Sequence, residues 1–141
     1  MNAVPKDGRQ VARDSREAER VADRLLDARR TLERDYALPL TVQRLARHAR
    51  LPHLSFNRAY HDAFGIAPLD HLRLLRLQAA ARLLIDGRAA ADIAVRVGYP
   101  NVAVFKAEFR RLFRDDAQLR AQLDLALQHP GNPPARQRTG A

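Results

Sequence analysis

Asn57 and Arg58 are neighbours in a stretch that also carries His53, Leu54 and His61. These residue types match what a base-pair edge offers. An amide side chain bonds adenine through two atoms, a guanidinium does the same to guanine, and an aliphatic tip fits the methyl of thymine. His53 and His61, two helical turns apart, suit phosphate oxygens. Such groups act together only if one helix presents them on one outer face. The residues between them meet that condition: Phe56, Ala59, Tyr60, Ala63 and Phe64 follow the three- and four-residue spacing of a buried helical stripe. That stripe leaves His53, Leu54, Asn57, Arg58 and His61 facing outward. Taken alone, the same five residues would also suit an ordinary solvated helix face.

Charge favours the nucleic-acid reading. The chain has 141 residues, with 25 Lys+Arg against 16 Asp+Glu and a formal net charge of +9. Neutralising phosphates releases condensed counterions, so a basic chain favours a polyanion. Part of the Arg excess reflects codon usage, since Lys6 and Lys106 are the only lysines. Acidic proteins and lipid headgroups are the other partners that such charge admits. The absence of Cys removes disulfides and thiolate metal sites. His48, His53, His61, His71 and His129 show no spacing with a carboxylate that closes a metal site. No phosphate-cradling glycine loop, nucleophile elbow or zinc-protease motif occurs, and Asp70, Asp86 and Asp92 are scattered. There is no N-terminal apolar run and no stretch of about 18 apolar residues.

The elements that position the outward face are helical throughout, with no convincing strand period. Residues 1–14 mix Pro5, Gly8 and charges without an apolar period, and read as a disordered arm. A first helix starts at Ser15, acting as a cap, and ends before Pro39. Thr41 caps a short helix with Val42, Leu45, Ala46 and Ala49 on one face. The reading helix then runs from about His53 to Phe64 and stops at Gly65. Pro68 opens a long helix to about Asp86, with Leu72, Leu75, Ala79, Leu83 and Leu84 as its expected buried stripe. Helices follow from Ala90 to about Val97, from Asn101 through Phe105, Phe109 and Phe113, and from Asp115 or Asp116 along Leu119, Leu123 and Leu127. The residues from His129 onward are rich in Pro and Gly and read as a disordered tail. The expected fold is all-α, with about seven helices in two helix-turn-helix subdomains, residues 15–66 and 88–128, joined by a linker helix over 67–87. The arm occupies 1–14 and the tail 129–141.

An internal repeat carries the helix-turn-helix reading. Leu45-Ala46 and the residues after it align with Ile93-Ala94 and theirs, and Phe56, Tyr60 and Phe64 align with Phe105, Phe109 and Phe113 after one extra residue. The small Ala46 and Ala94 sit where the two helices of each unit cross closely. The linker of about 19 residues spans roughly 28 Å. That is near the roughly 34 Å rise of one DNA turn, so both units would face successive major grooves.

From about Leu25 to Phe113 the chain resembles the DNA-binding domain of AraC/XylS-type transcription regulators. The matching pieces are Leu40-Thr41 with Leu45-Ala46; Arg58 and Tyr60 leading to Phe64-Gly65 and Pro68; Leu72, Arg76-Leu77, Ala80 and Leu83-Leu84; Ile93-Ala94 with Gly98-Tyr99; and Phe105, Phe109 and Phe113. The resemblance implies that Leu54, Asn57 and Arg58 contact bases and backbone. It also implies a sequence-specific regulator, more often an activator, and a bacterial protein of the cytoplasm and nucleoid. About 15 residues precede the first helix, so a stand-alone member without a sensor domain is expected.

The second unit departs from the family pattern. Ala103, Val104 and Ala107 stand where hydrogen-bonding residues are usual, and Arg114 replaces a Gly. Asn101, Lys106, Arg110 and Arg111 remain, and suit phosphates or an N-cap. Base readout is therefore expected mainly from the first unit. In the first turn Arg50 replaces the family Gly and Pro52 the usual capping Ser. Arg76 is expected to be structural, packed by its stem. The expected partners are double-stranded DNA and RNA polymerase, with monomeric binding. No cofactor, metal, small-molecule ligand, membrane contact or enzyme activity is expected. The alternative is a degenerate helix-turn-helix protein that acts through protein contacts without base-specific readout.

Overall fold

A computed structural model describes residues 7–129, and all regular structure among them is helical. The order is α1 (Gly8–Asp35), α2 (Val42–His48), α3 (His53–Phe64), α4 (Pro68–Ile85), α5 (Ala90–Val97), α6 (Val102–Leu112) and α7 (Ala117–Gln128). Side-chain oxygens start several of these helices by taking up amides that have no intrahelical partner. Thr41 Oγ1 accepts from the Arg44 amide at 3.1 Å, Asn101 Oδ1 from Val104 at 2.9 Å, and Asp116 Oδ1 from Leu119 at 3.0 Å. Pro68 occupies the first turn of α4, where its missing N–H costs nothing.

The first helix corrects the expected arm. It begins at Gly8, capped by Asp7, whose Oδ1 accepts from the Gln10 amide at 2.8 Å; Ser15 lies inside it. Residues 8–20 are all exposed. No buried stripe marks them, and charge pairs along the helix, such as Arg20 with Glu17 at 3.2 Å, support it instead. Residues 1–6 of the expected arm, and the expected tail beyond His129, lie outside the described residues.

Two cores form, one for each unit. Leu25, Ala28 and Leu32 of α1 close over Val42, Leu45, Ala46, Phe56 and Tyr60. Ile93, Ala94, Val97, Phe105, Phe109 and Leu123 make the other. The linker helix α4 serves both: Leu72 enters the first core, while Leu77, Ala79, Ala80 and Leu84 enter the second. A helix packed on two sides has no single apolar stripe. The expected stripe therefore captured Leu72, Ala79 and Leu84 as buried but omitted Leu77 and Ala80.

The repeat extends to individual hydrogen bonds. In the first turn the Arg50 amide donates to Arg47 O at 3.1 Å and the Leu51 amide to Ala46 O at 3.1 Å; in the second the Gly98 amide donates to Val95 O at 3.2 Å and the Tyr99 amide to Ala94 O at 2.8 Å. Both are left-handed helix endings of the Schellman type. Gly98 adopts φ 104° and Arg50 φ 57°, and Arg50 is the only non-glycine with positive φ among the described residues. Pro100 is the extra residue that lengthens the second turn.

A Cβ on Gly98 would stand 2.9 Å from Arg76 Nε, 3.0 Å from Tyr36 O and 3.1 Å from Ala37 Cα. Gly98→Ala should therefore lower unfolding free energy by at least about 2 kcal/mol, combining backbone strain with the clash. Arg50→Gly should raise it by about 1 kcal/mol, because the left-handed penalty outweighs the added chain entropy. Urea denaturation of both variants against the parent checks the opposite signs.

Candidate nucleic-acid interface

Phe56 and Tyr60 anchor α3 and have no exposed surface. Their burial turns the opposite side of α3 outward: His53, Leu54, Arg58 and His61 are exposed, Leu54 at 81%, and Asn57 is half-buried. The five residues expected on one face are thus brought together. Asn57 and Arg58 make no side-chain hydrogen bond or ion pair among the described residues, so their donors are available. His61 Nδ1 lies 3.8 Å from Asp62 Oδ1, a loose contact between exposed groups.

The rear of α3 is locked to the linker helix. Tyr60 Oη and His71 Nδ1 are 2.6 Å apart, with the rings tilted at 5.9 Å. Burial pushes the Tyr60 hydroxyl well above its ordinary value, so it stays protonated in this contact. Burial, with Arg29 nearby, holds His71 below the usual imidazole value. The Arg29 guanidinium also covers the Phe64 ring at 4.9 Å, closing the end of α3 against α1.

In the second unit Phe105 and Phe109 anchor α6 in the same way, both fully buried. The exposed side carries Ala103, Val104 and Ala107, with Arg110 and Arg111 along it. Asn101 takes the N-cap role that was one of its two expected ones, using its carbonyl oxygen as the cap of α6, while Arg110 is engaged within the molecule. Arg110 pairs with Asp124 of α7 at 2.9 Å. Lys106 is half-buried and forms no ion pair among the described residues.

The residue that joins the units is Arg76. Its Nε donates to Tyr36 O at 2.6 Å and its Nη2 to Leu38 O at 2.9 Å, while its guanidinium carbon lies 5.8 Å from the Tyr99 ring centre. The expectation of a structural Arg agrees with this, although the anchor is the guanidinium as well as the stem. Glu108, which the sequence reading passed over, accepts from Tyr99 Oη and pairs with Arg73 Nε at 3.3 Å, tying α6 to α4. No local signal identifies either role, because the partners lie on other elements.

A helix-turn-helix domain family model matches residues 45–116, just over half of the chain and spanning α3 and α6. The chain belongs to the AraC/XylS-type helix-turn-helix family. One curated relative is the probable thc operon regulatory protein of Rhodococcus erythropolis, 29% identical over 86 residues. That alignment covers 58% of this chain but 26% of the relative, so the chain spans about a quarter of that protein. The AraC/XylS-type fold is also seen in solved structures. The DNA-binding domain of AdpA, a global transcriptional factor solved in complex with a target DNA, matches with TM-score 0.57 and 22% identity, over 67% of this chain and 96% of that one. A probable AraC family transcriptional regulator from Rhodopseudomonas palustris matches with TM-score 0.60 and 21% identity, over 74% and 97%. The C-terminal domain of AraT, a response regulator from Geobacillus stearothermophilus, gives TM-score 0.64 and 19% identity, over 82% and 95%. No helix among the described residues is long and apolar enough to cross a membrane.

A depressed His71 pKa makes a signed prediction. Protonation favours the unfolded chain, so the His71 contribution is present above about pH 6.5 and is lost as pH falls through the lower folded-state value. His71→Asn keeps a hydrogen-bonding amide near the position of Nδ1 and does not titrate. Between about pH 7.5 and 5, the urea midpoint of the parent should fall more than that of the variant; equal falls would assign the loss to other groups.

Proposed function

We propose that this domain is a sequence-specific regulator of transcription, in which α3 reads bases through hydrogen bonds and α6 lies in the next major groove. The observation that carries this reading is the α3 face: Leu54, Asn57 and Arg58 point out from a helix whose opposite side is fixed by the buried Phe56 and Tyr60. Family membership and a fold neighbour solved on its target DNA support the same partner. Asn57 suits adenine, Arg58 guanine and Leu54 a thymine methyl, with His53 and His61 on phosphates. Asn101, Lys106 and Arg110 border the second groove; Arg110 exchanges Asp124 for phosphate only if that pair opens.

The two units differ in their outward residues, so an asymmetric site bound by a monomer follows. Activation, with RNA polymerase as a second partner, and residence in the cytoplasm on the nucleoid belong to the same proposal. A second reading, action through protein contacts alone, draws on the exposed Val104 and on Leu125, which is 68% exposed on α7.

Selection of bound duplexes from a random pool supplies the cognate site. On that site Arg58→Ala should cost about 1–3 kcal/mol, with little change on random DNA. The affinity of the parent should fall steeply with salt, with a log–log slope of about 0.9 per phosphate engaged. Equal weakening on both DNAs would reduce Arg58 to a phosphate contact, and no binding at low salt would favour the protein-contact reading.

A further inference from the structure

The outward face of α6 is the feature left unexplained. Register with the first unit follows from the buried aromatics, Phe56 with Phe105 and Tyr60 with Phe109. In that register Ala103 takes the place of Leu54, Val104 of Ser55 and Ala107 of Arg58. Between them Lys106 takes the place of Asn57, so this stretch of the helix offers methyl groups beside one half-buried cation. Val104 is 40% exposed.

The surroundings indicate what covers these methyls. Lys106, Arg110 and Arg111 border the patch. The one carboxylate on α6, Glu108, is turned away to Tyr99 and Arg73. The nearest acid from α7, Asp124, is paired with Arg110. A small apolar strip set among cations complements a polyanion that carries methyl groups. Three small side chains supply by themselves only a fraction of the about 800 Å² that each side of a specific protein interface buries. In duplex DNA the major-groove methyl is carbon 5 of thymine, and apolar side chains recognise it by contact.

We propose that α6 selects thymines in the second half-site through their 5-methyl groups, with Val104 as the main contact and Ala103 and Ala107 beside it. This rests on the reading that α6 occupies a major groove. It makes the second unit specific by shape and methyl burial, where the first unit is specific by hydrogen bonds.

The test uses the whole chain and the duplex selected from a random pool. Replacing the thymines of the second half-site with uracil removes only the methyls and leaves pairing intact. Affinity should fall about fourfold for each methyl that α6 buries. 5-Methylcytosine at the same positions should bind better than cytosine, since apolar side chains detect the methyl and not the pairing edge. Val104→Ala should weaken binding to the thymine duplex and shrink the penalty for uracil. Equal affinity for thymine and uracil duplexes, with a normal salt slope, would overturn the methyl readout while leaving DNA binding in place. Loss of the same factor on both duplexes in Val104→Ala would also overturn it. Failure to bind any duplex would remove the groove reading beneath it.

Discussion

The Arg76 guanidinium holds the arrangement together. It sits on α4, the one helix shared by both cores, and donates to two carbonyls at the end of α1 while lying against Tyr99 at the second turn. Those carbonyls follow the last turn of α1, where they have no helical partner. A planar fork of donors satisfies both at once, which a lysine ammonium would do less specifically. Gly98 is the consequence: only a residue without a side chain leaves room for the guanidinium, and the turn also needs a left-handed backbone there. The second unit is thus seated against the first by a contact that tolerates little displacement. Tyr36, packed against both cores, adds apolar contact at the same junction.

On that frame the two units share a backbone and differ in what they present. The turns repeat bond for bond, and the aromatic anchors of α3 and α6 are equally buried. The outward residues diverge: Leu54, Asn57 and Arg58 on one helix, Ala103, Val104 and Ala107 on the other. Anchoring and outward presentation are therefore separable, because opposite sides of each helix carry them. The first turn carries an exposed Arg50 at positive φ where the second uses glycine, and there Arg76 crowds Gly98.

Much of this was legible in the sequence, wherever a local rule decides. The Thr41 cap, the glycine endings and the aromatic spacing marked the helices and their repeat, while Asn101 and Asp116 were each one of two alternatives. The outward faces followed from the buried ones. Helix α1 was misplaced at its start, because its first turns bury nothing and are held by the Asp7 cap and charge pairs. On α4, Leu77 and Ala80 were missed because a helix between two cores has no single period. The partners of Arg76 and Glu108 were unreadable for a different reason: contacts to residues on other elements, such as the Arg76 bond to Tyr36, 40 positions away, leave no trace in local spacing.

The central claim is that a fixed junction sets two unlike reading helices against one side of one duplex. Hydroxyl-radical footprinting of the selected site measures this directly, nucleotide by nucleotide. The account predicts two protected windows about 10 base pairs apart on the same face of the duplex. A single window, or two windows on opposite faces, would contradict it.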